Sequence, residues 1–165
     1  MHEFHLAVLL DNIRSAWNVG SMFRAADGAG LRHLYLCGLS ATPENEKVAK
    51  TALGSELAVP WSHHMDGVQL CRELKAAGYR IWALEGGDRA EDLYQMGIPK
   101  EQPLLLVVGN ELSGVDPGIL AECERVVCLP MSGQKGSLNV AVAFGIAVYS
   151  LRYQTNSALI RGQEA

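Results

Sequence analysis

Residues 129–149 read LPMSGQKGSLNVAVAFGIAVY, from Leu129 to Tyr149, and this stretch decides how the rest of the chain is read. An apolar strand end gives way to a loop carrying Gly133 and Gly136. The loop enters a helical segment, residues 138–153, in which Val140, Ala141, Val142, Ala143, Phe144, Ile146, Ala147 and Val148 leave little polar face. Strand, glycine-rich loop and helix form the repeating unit of an α/β domain. Glycine lacks the Cβ that would hold main-chain amides and carbonyls away from a ligand, so the loop suits a small, flat, polar guest. A helix apolar on nearly every side needs cover on nearly every side. A core supplies part of that cover, and a second copy of the chain is the natural remainder.

The same alternation runs back through the chain. Residues 5–10 (HLAVLL), 32–37 (RHLYLC), 79–84 (YRIWAL), 104–108 (LLLVV) and 126–129 read as strands. The fully apolar run at 104–108 is typical of a parallel strand covered on both faces. Residues 18–30 read as a helix closed by Gly28 and Gly30. Thr42 before Pro43 predicts a helix to Leu53, and Asp116 before Pro117 another, because a capping side chain and a first-turn proline both favour a helix start. Residues 66–77 are amphipathic, with Val68, Leu70, Cys71 and Leu74 inward and Arg72, Glu73 and Lys75 outward. The reading is a three-layer α/β domain with a mostly parallel sheet over residues 1–154, followed by a frayed tail at 155–165.

Composition narrows the class. The chain has 165 residues, 48% of them apolar, with a net charge of −4. That length suits one domain able to bury roughly two thirds of its unfolded surface. A chain coating long nucleic acid would be basic, so any RNA contact rests on local positives: Arg14, Arg24, Arg32, Lys47, Lys50 and Lys135. Cys37, Cys71, Cys123 and Cys128 form no CxxC pair, and the chain opens on a polar stretch, so the cysteines are expected to be reduced and the protein cytoplasmic. No apolar run reaches membrane-spanning length. His63, His64 and Cys71 lack metal-ligand spacing, so no metal is expected. Trp17, Trp61 and Trp82 read as core or interface residues, with Trp17, beside Asn18, the one to test against a base. The first strand is followed by no GxGxxG, and no Walker A sequence occurs, which removes ordinary dinucleotide and P-loop readings.

Three blocks, taken in order, resemble the SpoU (TrmH-like) family of SPOUT-class RNA ribose methyltransferases. They are Asn18-Val19-Gly20-Ser21-Met22-Phe23-Arg24; Val108 to Val115 (VGNELSGV); and Leu129-Pro130-Met131 with Gly136-Ser137-Leu138-Asn139-Val140-Ala141. The resemblance implies a C-terminal deep trefoil knot cradling S-adenosylmethionine against Leu84, Gly109, Leu129, Met131 and Leu138, with Ser137 nearby. It implies a homodimer and a tRNA or rRNA substrate, methylated on a ribose 2′-hydroxyl, and it makes Arg24, Asn18, Glu111, Ser137 and Asn139 the catalytic set.

Within that set the resemblance assigns proton removal to Arg24. A guanidinium is effectively always protonated, so two roles stay open: a base in a site that strongly lowers its pKa, or a clamp on phosphate that stabilises the forming alkoxide, with the proton leaving to phosphate or water. The clamp is favoured. Asn18 is expected to cap the first helix, with its amide partly available to the ribose or to Arg24. Glu111 is expected to orient Arg24. Ser137 and Asn139 lie at the start of the last helix, where free N–H groups favour anions. The alternatives are a non-catalytic knotted dimer that binds RNA or a ribosomal particle, and an enzyme using another adenosine-containing ligand on small molecules.

Overall fold

The structure, a computed structural model, describes residues 3–154; the tail expected at 155–165 lies outside the described residues. Seven strands form one sheet: β1 (Leu6–Asp11), β2 (His33–Cys37), β3 (Trp61–His64), β4 (Arg80–Leu84), β5 (Glu91–Asp92), β6 (Leu104–Val108) and β7 (Arg125–Cys128). Their order is β3-β2-β1-β6-β4-β7-β5, and every pairing is parallel. β1 and β6 lie at the centre and are buried along their whole length, as their unbroken apolar sequences require.

Among the described residues six α-helices cover the sheet: α1 (Ala16–Gly28), α2 (Glu46–Ala52), α3 (Ser55–Ala58), α4 (Gly67–Ala76), α5 (Pro117–Leu120) and α6 (Val140–Tyr153). Strand alternation sends Leu6, Val8 and Leu10 to one face, where they pack with Phe23 of α1, Val48 of α2 and Phe144 of α6. Ala7 and Leu9 point to the other face, against Leu70 and Cys71 of α4 and Ile119 of α5. The result is the expected three-layer arrangement.

Close packing of α1 explains Gly20. A Cβ there would lie 2.6 Å from Thr51 Cβ and 2.7 Å from the Val48 carbonyl oxygen, so α2 can approach only a glycine. At the other end of α1, Arg152 of α6 donates to the carbonyls of Ala29 (2.8 Å), Gly30 (2.7 Å) and Phe4 (2.8 Å). One guanidinium therefore ties the end of α6 to the end of α1 and the approach to β1. This is the forked donor geometry that lysine cannot supply.

Several boundaries differ from the sequence expectation for local reasons. α1 starts two residues before Asn18, because Ser15 is its cap and accepts from the Asn18 N–H (3.3 Å). Thr42 does not cap α2; it closes a turn with Asn45, and Asn45 caps the helix by accepting from Lys47 N–H (3.0 Å). α6 begins at Val140 with Asn139 as cap, so Ser137 and Leu138 belong to the loop. Trp82 is buried and Trp61 packs partly buried on the core, whereas Trp17 is 59% exposed.

Candidate functional site

The loops after β4, β6 and β7 rise beyond the carboxyl ends of their strands and enclose a cavity of about 760 Å3. This is where open parallel sheets bind ligands, and the volume falls in the usual range for small-molecule sites. Leu84, Gly109, Leu129, Met131, Ser137 and Leu138 all line it. Its charged lining residues are Glu85 and Glu111, both carboxylates.

Gly109 sets the shape of the floor. A Cβ on it would sit 2.4 Å from Val115 N and 2.5 Å from Gly114 C, so the loop can fold back over β6 only at a residue without a side chain. Gly114 has φ +72°, in the left-handed region that favours glycine. The returning limb is then held by two carboxylates: Glu85 Oε1 accepts from Val115 N–H (2.9 Å), and Asp11 Oδ2 accepts from Asp116 N–H (2.8 Å). Burial pushes the Asp11 carboxyl above the ordinary aspartate value; the Asp116 N–H opposes the rise and the Asp116 charge adds to it.

At the cavity mouth three polar side chains from distant parts of the chain meet. Asn18 Nδ2 donates to Glu111 Oε1 (2.8 Å), and Asn139 Nδ2 donates to Asn18 Oδ1 (3.4 Å). Asn139 Oδ1 meanwhile accepts from Ala141 N–H (2.9 Å) and Val142 N–H (3.3 Å). Because Ser15 relieves Asn18 of the capping task, the whole Asn18 amide is free to bridge the loop after β6 and the start of α6.

Within one chain Arg24 stands apart from this cluster. Glu111 meets Asn18, not Arg24, and Arg24 does not line the cavity of its own chain. Six residues at 100° each carry Arg24 about 120° round α1 from Asn18, onto the exposed side. Among the described residues Arg24 makes no hydrogen bond or ion pair. Ser137 is exposed on the loop at the cavity wall.

Three further residues shape the site and are not among the site residues read from the sequence. Asn12 has φ +54°, Asn110 donates from Nδ2 to the Asn12 carbonyl (2.9 Å), and Glu85 holds the loop as described. Their partners lie up to 98 positions away, so only the fold brings them together. His63 and His64 point to opposite faces of β3: His63 Nε2 lies 2.8 Å from the Gly38 carbonyl oxygen and His64 Nε2 lies 2.8 Å from Ser62 Oγ.

An all-parallel α/β domain with a glycine-floored cavity beyond its strand ends, and a cluster of amides and a carboxylate at the mouth, is a binding fold for a small polar ligand. The chain belongs to the SpoU rRNA Methylase family, whose model matches residues 5–149. It is 36% identical over 147 residues to the 23S rRNA (guanosine(2553)-2′-O)-methyltransferase RlmP of Bacillus subtilis, covering 88% of this chain and 57% of that protein. It is 32% identical over 150 residues to the tRNA (guanosine(18)-2′-O)-methyltransferase of Aquifex aeolicus, covering 90% of this chain and 69% of that protein. Among solved structures, the SpoU methyltransferase AviRb from Streptomyces viridochromogenes in complex with AdoMet superposes with a TM-score of 0.83 at 26% identity, covering 93% of this chain and 62% of that one.

Proposed function

We propose that the chain transfers a methyl group from S-adenosylmethionine to a ribose 2′-hydroxyl of tRNA or rRNA. The observation that carries this reading is the Asn18–Glu111–Asn139 cluster at the mouth of the cavity lined by Gly109, Leu129 and Leu138. The cavity fits the cofactor: Leu84, Leu129 and Leu138 offer apolar walls for an adenine, and the lining loop residues Met131, Gly136, Ser137 and Leu138 carry main-chain donors and acceptors for its edge. The lining carboxylates suit a positively charged ligand. When bound, S-adenosylmethionine supplies a methyl already activated by the sulfonium charge.

The chain's own residues have an orientation task. The Asn18 amide and Asn139, both fixed by hydrogen bonds, hold the ribose against the cavity mouth. Glu111 fixes Asn18. Arg24, free and exposed, grips an RNA phosphate and stabilises the alkoxide as the hydroxyl proton leaves to phosphate or water. Ser137 contributes a hydroxyl from the cavity wall.

Arg24 lies away from its own cavity, so the reading includes a homodimer in which the site is completed across the interface. The exposed apolar row Val142, Ile146, Tyr149 and Tyr153 on α6 supports that contact, since its spacing keeps one face of the helix apolar. The deep trefoil knot belongs to the same reading: the segment from Leu129 onward threads through a loop and presents residues 131–139 over the cavity. The site of action is cytoplasmic, in keeping with four free thiols and with RNA as substrate. No helix among the described residues is long and apolar enough to cross a membrane.

Radiolabelled methyl incorporation from S-adenosylmethionine into total RNA, compared with Arg24→Ala, tests the proposal. Label in wild type and its loss in the variant is the expected result. RNA binding without label would favour a non-catalytic RNA- or ribosome-binding dimer instead.

A further inference from the structure

We propose that Asn110 is a positioning residue, which sets Glu111 and through it the Asn18 amide. The inference rests on the reading of Asn18, Glu111 and Asn139 as the substrate-side cluster.

The loop that carries Glu111 is closed by one main-chain bond, from Gly114 N–H to the Asn110 carbonyl (2.8 Å). Its tip residue Leu112 is 97% exposed, so no apolar packing anchors the turn. Asn110 does so with both ends of its amide. Oδ1 accepts from Leu112 N–H (2.9 Å) and Ser113 N–H (3.1 Å), curling the chain tightly around Glu111. Nδ2 donates to the Asn12 carbonyl (2.9 Å), tying that curl to the end of β1.

The Asn12 carbonyl is itself a fixed target. Asn12 Oδ1 accepts from Leu39 N–H (2.8 Å) and its Nδ2 donates to Asp11 Oδ1 (3.1 Å), which holds the residue in its left-handed conformation. Glu85 and Asp11 secure the far limb through Val115 and Asp116. On the near limb the Asn110 side chain acts beside the Asn18–Glu111 bond and the Gly114 N–H bond to the Asn110 carbonyl (2.8 Å), and Glu111 is the next residue. A carboxylate at position 110 could still accept from Leu112 and Ser113 but could not donate to Asn12. Asn110→Asp therefore separates the tether from the curl.

The test combines activity with a spectroscopic readout. Asn110→Asp and Asn110→Ala are expected to lower kcat for methyl transfer to RNA about 10-fold or more, with KM for RNA changed less than about 3-fold. In a Glu111→Ala background Asn110→Asp is expected to add less than about 2-fold, because residues acting through one another are not additive. By NMR, the Asn18 side-chain amide resonance is expected to move in Asn110→Asp towards its position in Glu111→Ala. An unchanged kcat in the single variants, an equal loss in both backgrounds, or an unmoved Asn18 amide would overturn the proposal. If wild type transfers no methyl at all, the reading of the site fails, and the amide resonance still decides whether Asn110 sets Glu111.

Discussion

The Asn18 side chain on the first helix donates to Glu111 Oε1 at 2.8 Å, across 93 positions of sequence. The pair joins α1 to the loop after β6 at the mouth of the cavity. Asn139 extends the bridge to α6, so three separate elements share one set of amide and carboxylate groups.

Reversing the polarity of that pair should be informative. Asn18→Asp sets two carboxylates against each other and is expected to reduce turnover more than Asn18→Ala, since like charges at contact repel. The double variant Asn18→Asp/Glu111→Gln restores a donor–acceptor pair in the opposite sense and should recover part of the loss. Steady-state methyl transfer on the four proteins reads the difference.

Two glycines separate stability from ligand binding. Gly20→Ala drives a Cβ into the Val48 carbonyl at 2.7 Å, and Gly109→Ala drives one to 2.4 Å from Val115 N. Each should cost about 1–3 kcal/mol, the usual penalty of overpacking, seen as a lower Tm. Only Gly109→Ala is expected to weaken S-adenosylhomocysteine binding by calorimetry, because Gly20 lies on the α2 side of α1, away from the cavity.

The exposed row on α6 predicts assembly. Ile146→Glu puts a charge in the middle of Val142, Ile146, Tyr149 and Tyr153. Sedimentation equilibrium should show a dimer for wild type and a monomer for the variant, with methyl transfer lost in the monomer although its cofactor cavity is untouched.

Thiol chemistry has a definite pH dependence. Burial pushes the Cys37, Cys71 and Cys123 thiols up to about 12. The reactive thiolate is therefore scarce at pH 8, about one molecule in ten thousand at four units below such a pKa. Iodoacetamide mass mapping of the native protein at pH 8 should leave these three unlabelled, and labelling should accelerate as pH rises towards that value or on unfolding.

The fold was legible wherever residues are buried on both faces of the sheet. The runs at β1 and β6 and the sequence of α6 admit few other readings. β3 escaped because an edge strand of composition Trp-Ser-His-His shows no apolar run; its polar side chains are satisfied by His33 and Gly38, partners visible only after folding. β5 has two residues, too few for any periodic signal. In the site, glycines and the strand-loop-helix order mark the loops that line the cavity, and the individual lining residues follow from the family resemblance. Asn18 reads as a helix cap in the sequence, which hides its pairing with Glu111 within the chain. Ser15, three positions earlier, holds that role, and this frees the Asn18 amide for Glu111. Asn12, Asn110 and Glu85 each also bond a main-chain group from another part of the chain, a partner that only the fold brings near.

The most direct measurement is nucleoside mass spectrometry of tRNA and rRNA after incubation with the purified protein and S-adenosylmethionine. The account predicts a nucleoside gaining one methyl on its ribose, absent when Arg24→Ala replaces wild type. A methyl found on a base, or RNA that gains none while the protein binds it, would contradict the account.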